Sequence, residues 1–87
     1  MKGKVNTITP AHIKDLMDRS EKFVQKMGDK TLVVVLTLPS GFEIVGKGSC
    51  VDPVNFDEKQ GTEIALREIE NKLWELEGYR LQCELDV

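Results

Sequence analysis

From Ile13 onward, apolar residues return every three or four positions: Ile13, Leu16, Met17, Phe23, Val24 and Met27, with Ser20 in the same seam. At 100° per residue they fall within about 120° of arc, the stripe of an amphipathic helix. Thr9-Pro10 supplies the start, because threonine caps free amides and proline is tolerated where its missing donor has no partner. Gly28 supplies a left-handed stop. The pattern predicts a first helix over residues 10–27, preceded by a loose tail over 1–8.

The period then changes. "TLVVVLTL", 31–38, is rich in β-branched residues and continuous. A strand with one wet face alternates, so this run predicts a strand covered on both faces. "PSG", 39–41, is a turn with Gly41 where a positive φ is needed. "FEIVGKGSC", 42–50, completes a hairpin, with Phe42, Ile44 and Cys50 on one face and Glu43, Val45 and Lys47 on the other. Gly46 and Gly48 mark a bulge or a close approach to the backbone.

Asp52-Pro53 ends that strand, since proline cannot donate to a ladder. Asn55 or Asp57 caps a second helix that runs to about Glu77, with Gly78 as its stop. Ala65, Leu66, Ile69, Leu73 and Leu76 form its core stripe. "YRLQCEL" alternates at Tyr79, Leu81, Cys83 and Leu85 and predicts a short third strand. The expected architecture is one α+β domain over 9–87. It has an N-terminal helix, an antiparallel β-hairpin, a long C-terminal helix and a short third strand, with the helices packed on a small sheet.

Size sharpens this picture. A chain of 87 residues buries only about 60% of its unfolded surface and has a thin core, so it needs staples or self-association. Staples are not expected: Cys50 and Cys83 stand without a CxxC pair, and "MKGKVNTITP" lacks the apolar run of a secretory signal. The expected compartment is a reducing cytoplasm with both thiols free. "LVVVL" carries more apolar surface than one small domain hides, which predicts a homo-oligomer. The formal net charge of −3 argues against a duplex nucleic-acid partner, which needs a basic footprint. No stretch approaches the roughly 20 apolar residues of a membrane span.

Candidate chemistry is sparse. His12 falls in the first turn of helix one and reads as a solvated residue. "GKGS", 46–49, is too short for a phosphate loop. No metal spacing occurs, and no cofactor is expected. Cys50 lacks a nearby histidine, and Asp52 and Asp57 suit turn and cap roles as well as a carboxylate pair. The expectation is a binding protein, not an enzyme. The amino end of helix two offers free N–H groups that attract phosphate. Gly46, Gly48, Asn55, Asp57, Arg67 and Lys72 fall in that region and suit a nucleotide. Trp74, outside the core stripe, has three readings: core extension, subunit contact, or a ring stacked on a ligand beside Arg67.

The stretch 41–81 carries Gly-Phe, Val-Gly, a Cys-Val-Asp-Pro-x-Asn-Phe-Asp connection, and Asn-Lys-x-Trp-x-Leu-Glu-Gly-Tyr. It resembles a family of small phage proteins that is similar to, and is identified as including, the type-one anti-Thoeris proteins. The resemblance implies a sponge. Such a protein binds the cyclic ADP-ribose-like signal of bacterial TIR enzymes, or cyclic oligonucleotides at a second site, and holds it uncleaved. It also implies dimers or trimers of dimers with pockets between protomers. Asn55 and Asp57 would contact polar groups of the ligand, and Val45 and Gly46 would line the pocket from the sheet. Lys72 or Arg67 would pair with phosphate, and Arg19 would serve a second phosphate site. The sequence departs from the sponge pattern where Val45 and Lys72 stand in place of an aromatic ring and an arginine, because lysine cannot form the bidentate phosphate fork. The alternative is a module that binds a host protein through Trp74 and the sheet edge.

Overall fold

A computed structural model of the chain describes residues 7–49 and 57–85. Five elements follow in order: α1 (Pro10–Asp18), β1 (Glu21–Lys26), β2 (Thr31–Thr37), β3 (Glu43–Ser49) and α2 (Glu58–Leu85). The strands form one antiparallel sheet in the order β1-β2-β3. Ile13 of α1 and Ala65, Ile69 and Leu73 of α2 bury against Leu32, Val34 and Leu36 of β2 and Ile44 of β3. Both helices therefore lie on one face of the sheet, and the fold is α+β as expected.

Helix α1 starts as its sequence predicts. Thr9 is extended, its side chain accepts the His12 amide at 3.2 Å, and Pro10 follows in the first turn. Ile8, placed at the end of the expected tail, packs against the core. The helix stops at Asp18 rather than at residue 27. Arg19 is its C-cap, and the Ser20 hydroxyl returns to the Leu16 carbonyl at 2.7 Å. Residues 21–26 form β1 instead, paired along their length with β2 from Glu21 opposite Thr37 to Lys26 opposite Leu32. The helical spacing of Phe23, Val24 and Met27 was a local signal. The free edge of the β-branched strand β2 outweighs it, because pairing there satisfies a whole row of backbone groups.

The third strand is thus β1, not residues 79–85. Those residues continue α2, which spans 28 residues, about 42 Å at 1.5 Å per residue. Gly78 does not stop it, since Gly41 is the one residue with positive φ among those described. Of the alternating set, Leu81 is buried and Tyr79 is 72% exposed. Arg80 bonds Glu77 and Glu84, pairs at helical spacing that suit continuation.

The buried residues of α2 form a narrow row, Gly61, Ala65, Ile69 and Leu73, followed by Leu81. The first four lie four apart and are small at one end. Beneath them, β3 presents Gly46 and Gly48. A Cβ on Gly46 would lie 2.8 Å from the Ile69 side chain and closer still to the Ala65 carbonyl, and one on Gly48 would meet the Gly61 backbone. The close approach considered for these glycines is made by α2. Two backbones touch without intervening side chains, which fixes the helix over β3.

The opposite face of the sheet differs from expectation. β2 is buried on the helix side only; Val33 and Val35 are half-buried, and no described element covers them. Within one chain, therefore, only the helix face of this apolar run is covered.

Replacing Gly48 by Ala is expected to destabilise the fold by about 2 kcal/mol or more, the scale of overpacking against backbone that cannot yield. Gly78→Ala is expected to stabilise it by about 0.5–1 kcal/mol, because a glycine inside a continuous helix costs about that much relative to alanine. Urea denaturation checks both. A loss of stability in Gly78→Ala would mean that the helix ends there.

Candidate functional site

The seam between α2 and the outer edge of β3 holds Gly46, Lys72 and the backbone of Val45 among the residues nominated from sequence. Lys72, on α2, donates from Nζ to the Val45 carbonyl at 2.8 Å. Glu68, one turn earlier, accepts the Lys47 amide through Oε1 at 2.8 Å. These two side chains take up groups that an edge strand otherwise leaves open. Val45 is 49% exposed and points to the open face of the sheet, whereas Gly46 is buried beneath α2. The structure therefore brings Val45, Gly46 and Lys72 together, but Gly46 faces the helix backbone.

Asp57 stands at the start of the same seam. Its Oδ1 accepts the Lys59 amide at 3.0 Å and the Gln60 amide at 3.4 Å, and its carbonyl accepts the Gly61 amide at 2.8 Å. It is the cap of α2, and its carboxylate occupies the positive end of the helix. Arg67 is exposed on α2. Arg19 is remote from these groups, at the end of α1, where Nε meets Asp15 at 3.0 Å. Trp74 is half-buried and packs against the core, the first of its three readings. Asn55, Cys50 and Asp52 lie outside the described residues.

Two features were missed from sequence. A groove of about 580 Å³ runs between β1 and α2, lined by Lys22, Val24, Glu58, Lys59, Thr62 and Leu66 among others. It opens because α1 is short, which sequence periodicity concealed. It holds charges of both signs on its rim and none of the nominated ligand residues.

The other is a polar pin between the helices. His12 Nε2 lies 2.7 Å from Glu77 Oε1, and Arg80 reaches the same oxygen at 3.1 Å. Glu77 falls in the buried row of α2 and is 14% exposed, so sequence spacing alone placed an acid among core positions. Partial burial would push its carboxyl up; hydrogen bonds from His12 and Arg80, with the charge of Arg80, outweigh that and hold it below its ordinary value. The pin ties α1 to α2 where sequence reading left His12 in solvent.

No group of metal-binding side chains occurs among the described residues, and no described helix is long and apolar enough to cross a membrane. The model of the phage protein (N4 Gp49/phage Sf6 gene 66) family matches residues 8–85. The chain belongs to that family. The match spans both helices and the whole sheet, so the family relationship covers the fold and not only the connection between β3 and α2. No curated protein and no solved structure matches the chain.

Because the folded-state pKa of Glu77 lies below its unfolded value, the pin's contribution is present above about pH 5 and is lost as pH falls below the ordinary carboxylate range. Glu77→Gln is expected to lower stability by about 1 kcal/mol at neutral pH, the usual worth of a partly buried charge-assisted bond. It should also shrink the acid-side loss. Urea titrations between pH 3 and 7 test this; an unchanged acid limb in the variant would assign that limb to other carboxylates.

Proposed function

We propose that this phage protein sequesters a cyclic nucleotide-type immune second messenger, cyclic ADP-ribose-like or a cyclic oligonucleotide, and holds it without cleaving it. Capture lowers the free signal and blocks an anti-phage defence. The observation that carries the reading is the closure of α2 over β3. Lys72 on the helix holds the Val45 carbonyl, Asp57 caps the helix start, and glycine contacts hold the two elements together; Arg67 is exposed on another side of the same helix. A rigid seam with exposed cations suits a small anion, since little ordering is left for the binding step.

Asp57 caps α2, so a ligand phosphate is not drawn to that helix end. Its charge is met by Lys72 or Arg67, and Asp57 and Asn55 meet hydroxyl or base edges. Lysine has three donors; one holds the Val45 carbonyl, which leaves two for a phosphate oxygen. The rival reading, docking of a host protein on the sheet edge, is disfavoured at β3, whose edge Glu68 and Lys72 already occupy.

Native mass spectrometry with a panel of cyclic nucleotides tests the proposal, followed by heat release of whatever is bound. The expected outcome is uptake of an intact nucleotide. Uptake should fall at least about tenfold, or 1.4 kcal/mol, in Arg67→Ala and in Asn55→Ala combined with Asp57→Asn, which keeps a good cap. Release of an altered nucleotide would make the protein an enzyme, and uptake of none across the panel would remove the ligand.

A further inference from the structure

The open face of the sheet carries an ordered pattern. Strand register places Phe23, Val35 and Val45 side by side across the three strands. Phe23 is 60% and Val45 49% exposed. On one side of this apolar row lie Glu21, Thr37 and Glu43; on the other lie Gln25, Val33 and Lys47. Successive rows are about 7 Å apart, two residues of strand rise. Glu43 and Lys47 are thus about 13 Å apart on their own strand, too far to pair with each other.

We propose that a second copy of this chain docks on this face, with a twofold axis running across the strands through the Phe23–Val35–Val45 row. The charge pattern selects both the occupant and the axis. Rotation about that axis lays the apolar row on itself. It sets Glu43 of each copy over Lys47 of the other, Thr37 over Val33, and Glu21 over Gln25. The face is complementary to itself, as a twofold interface requires. A twofold axis along the strands would instead set Glu21 over Glu43 twice, a like-charge contact that costs affinity. Edge-to-edge growth of the sheet is opposed at β3 by the Glu68 and Lys72 bonds. At β1 it is opposed by charges at Glu21 and Lys22 beside Phe23.

Three strands of about seven residues make a small plate, at the low end of specific interfaces, so assembly is tested over a wide range of concentration. This assembly does not rest on the ligand reading: a dimer that takes up no nucleotide would leave it intact, and the test below uses no nucleotide.

Sedimentation equilibrium of the full chain from about 1 to 500 µM is the test, with folding of each variant confirmed by circular dichroism. The mass should rise from one chain to two. Val45→Glu and Phe23→Ser should each keep the chain monomeric. Glu43→Lys and Lys47→Glu should each weaken the dimer at least about tenfold by placing like charges face to face, and combining them should restore it to within about threefold. A single-chain mass throughout would overturn the proposal. So would a dimer indifferent to Val45→Glu and Phe23→Ser, or one strengthened by Glu43→Lys, which would require an axis along the strands.

Discussion

The architecture depends on a backbone-to-backbone contact. Gly46 and Gly48 on β3 leave no side chain between the strand and α2, and Gly61 and Ala65 answer them from the helix. Sheet and helix normally stand about 10 Å apart on a layer of side chains; here one end of that layer is absent. The helix therefore settles over β3 and tilts its larger residues, Ile69 and Leu73, towards Leu32, Val34 and Leu36 of β2. Its position off the centre of the sheet leaves the β1 flank to the nine-residue helix α1. The groove at Lys22 and Leu66 is what that short helix fails to fill.

Much of this was legible, and the misses share one cause. Thr9-Pro10, the hairpin and the Ala65–Ile69–Leu73 stripe are signals read within one turn or one strand, where local sterics and capping decide the outcome. Residues 21–26 are decided elsewhere. Their apolar spacing fits a helix, yet β2 needs neighbours on both edges, and that demand arises six to sixteen residues downstream. Gly78 shows the converse. It is a good stop in isolation, but a helix already anchored at Leu73 and again at Leu81 crosses it. Of the candidate site, the chemistry of Arg67 and Lys72 was readable by residue type. The burial of Gly46 and the capping of α2 by Asp57 were not separable from ligand roles until the helix was placed.

Charge in this protein organises surfaces more than it stabilises them. The exposed pairs Lys14–Asp18 and Arg19–Asp15 are helical neighbours in solvent, a class that contributes little to stability because water and salt screen it. Glu68 and Lys72 matter differently. They contribute little as charges but close the β3 edge to pairing, and they do so from the helix, so closure persists only while α2 sits on the glycines. Glu77 likewise derives its effect from position, in a core row where His12 and Arg80 reach it. The open face follows the same logic: its apolar row is ordinary in composition, and the acidic and basic rows beside it decide what can lie against it.

The glycine seam also links the two proposals physically. An occupant recognised by Lys72 or Arg67 would sit on a helix held by Gly46 and Gly48, while the opposite side of the same strand would present Val45 and Lys47 to a second copy. β3 is thus the one strand with a role on both faces and on its outer edge. A bulky residue at Gly46 or Gly48 would lift α2, withdraw Glu68 and Lys72 from the edge, and free the Val45 carbonyl and Lys47 amide for pairing with another chain. Assembly would then pass from a closed face-to-face dimer towards open edge growth, because an unsatisfied strand edge recruits further strands without limit. The glycines therefore do more than permit close packing. They keep the edge shut, and so leave the face as the surface for closed association.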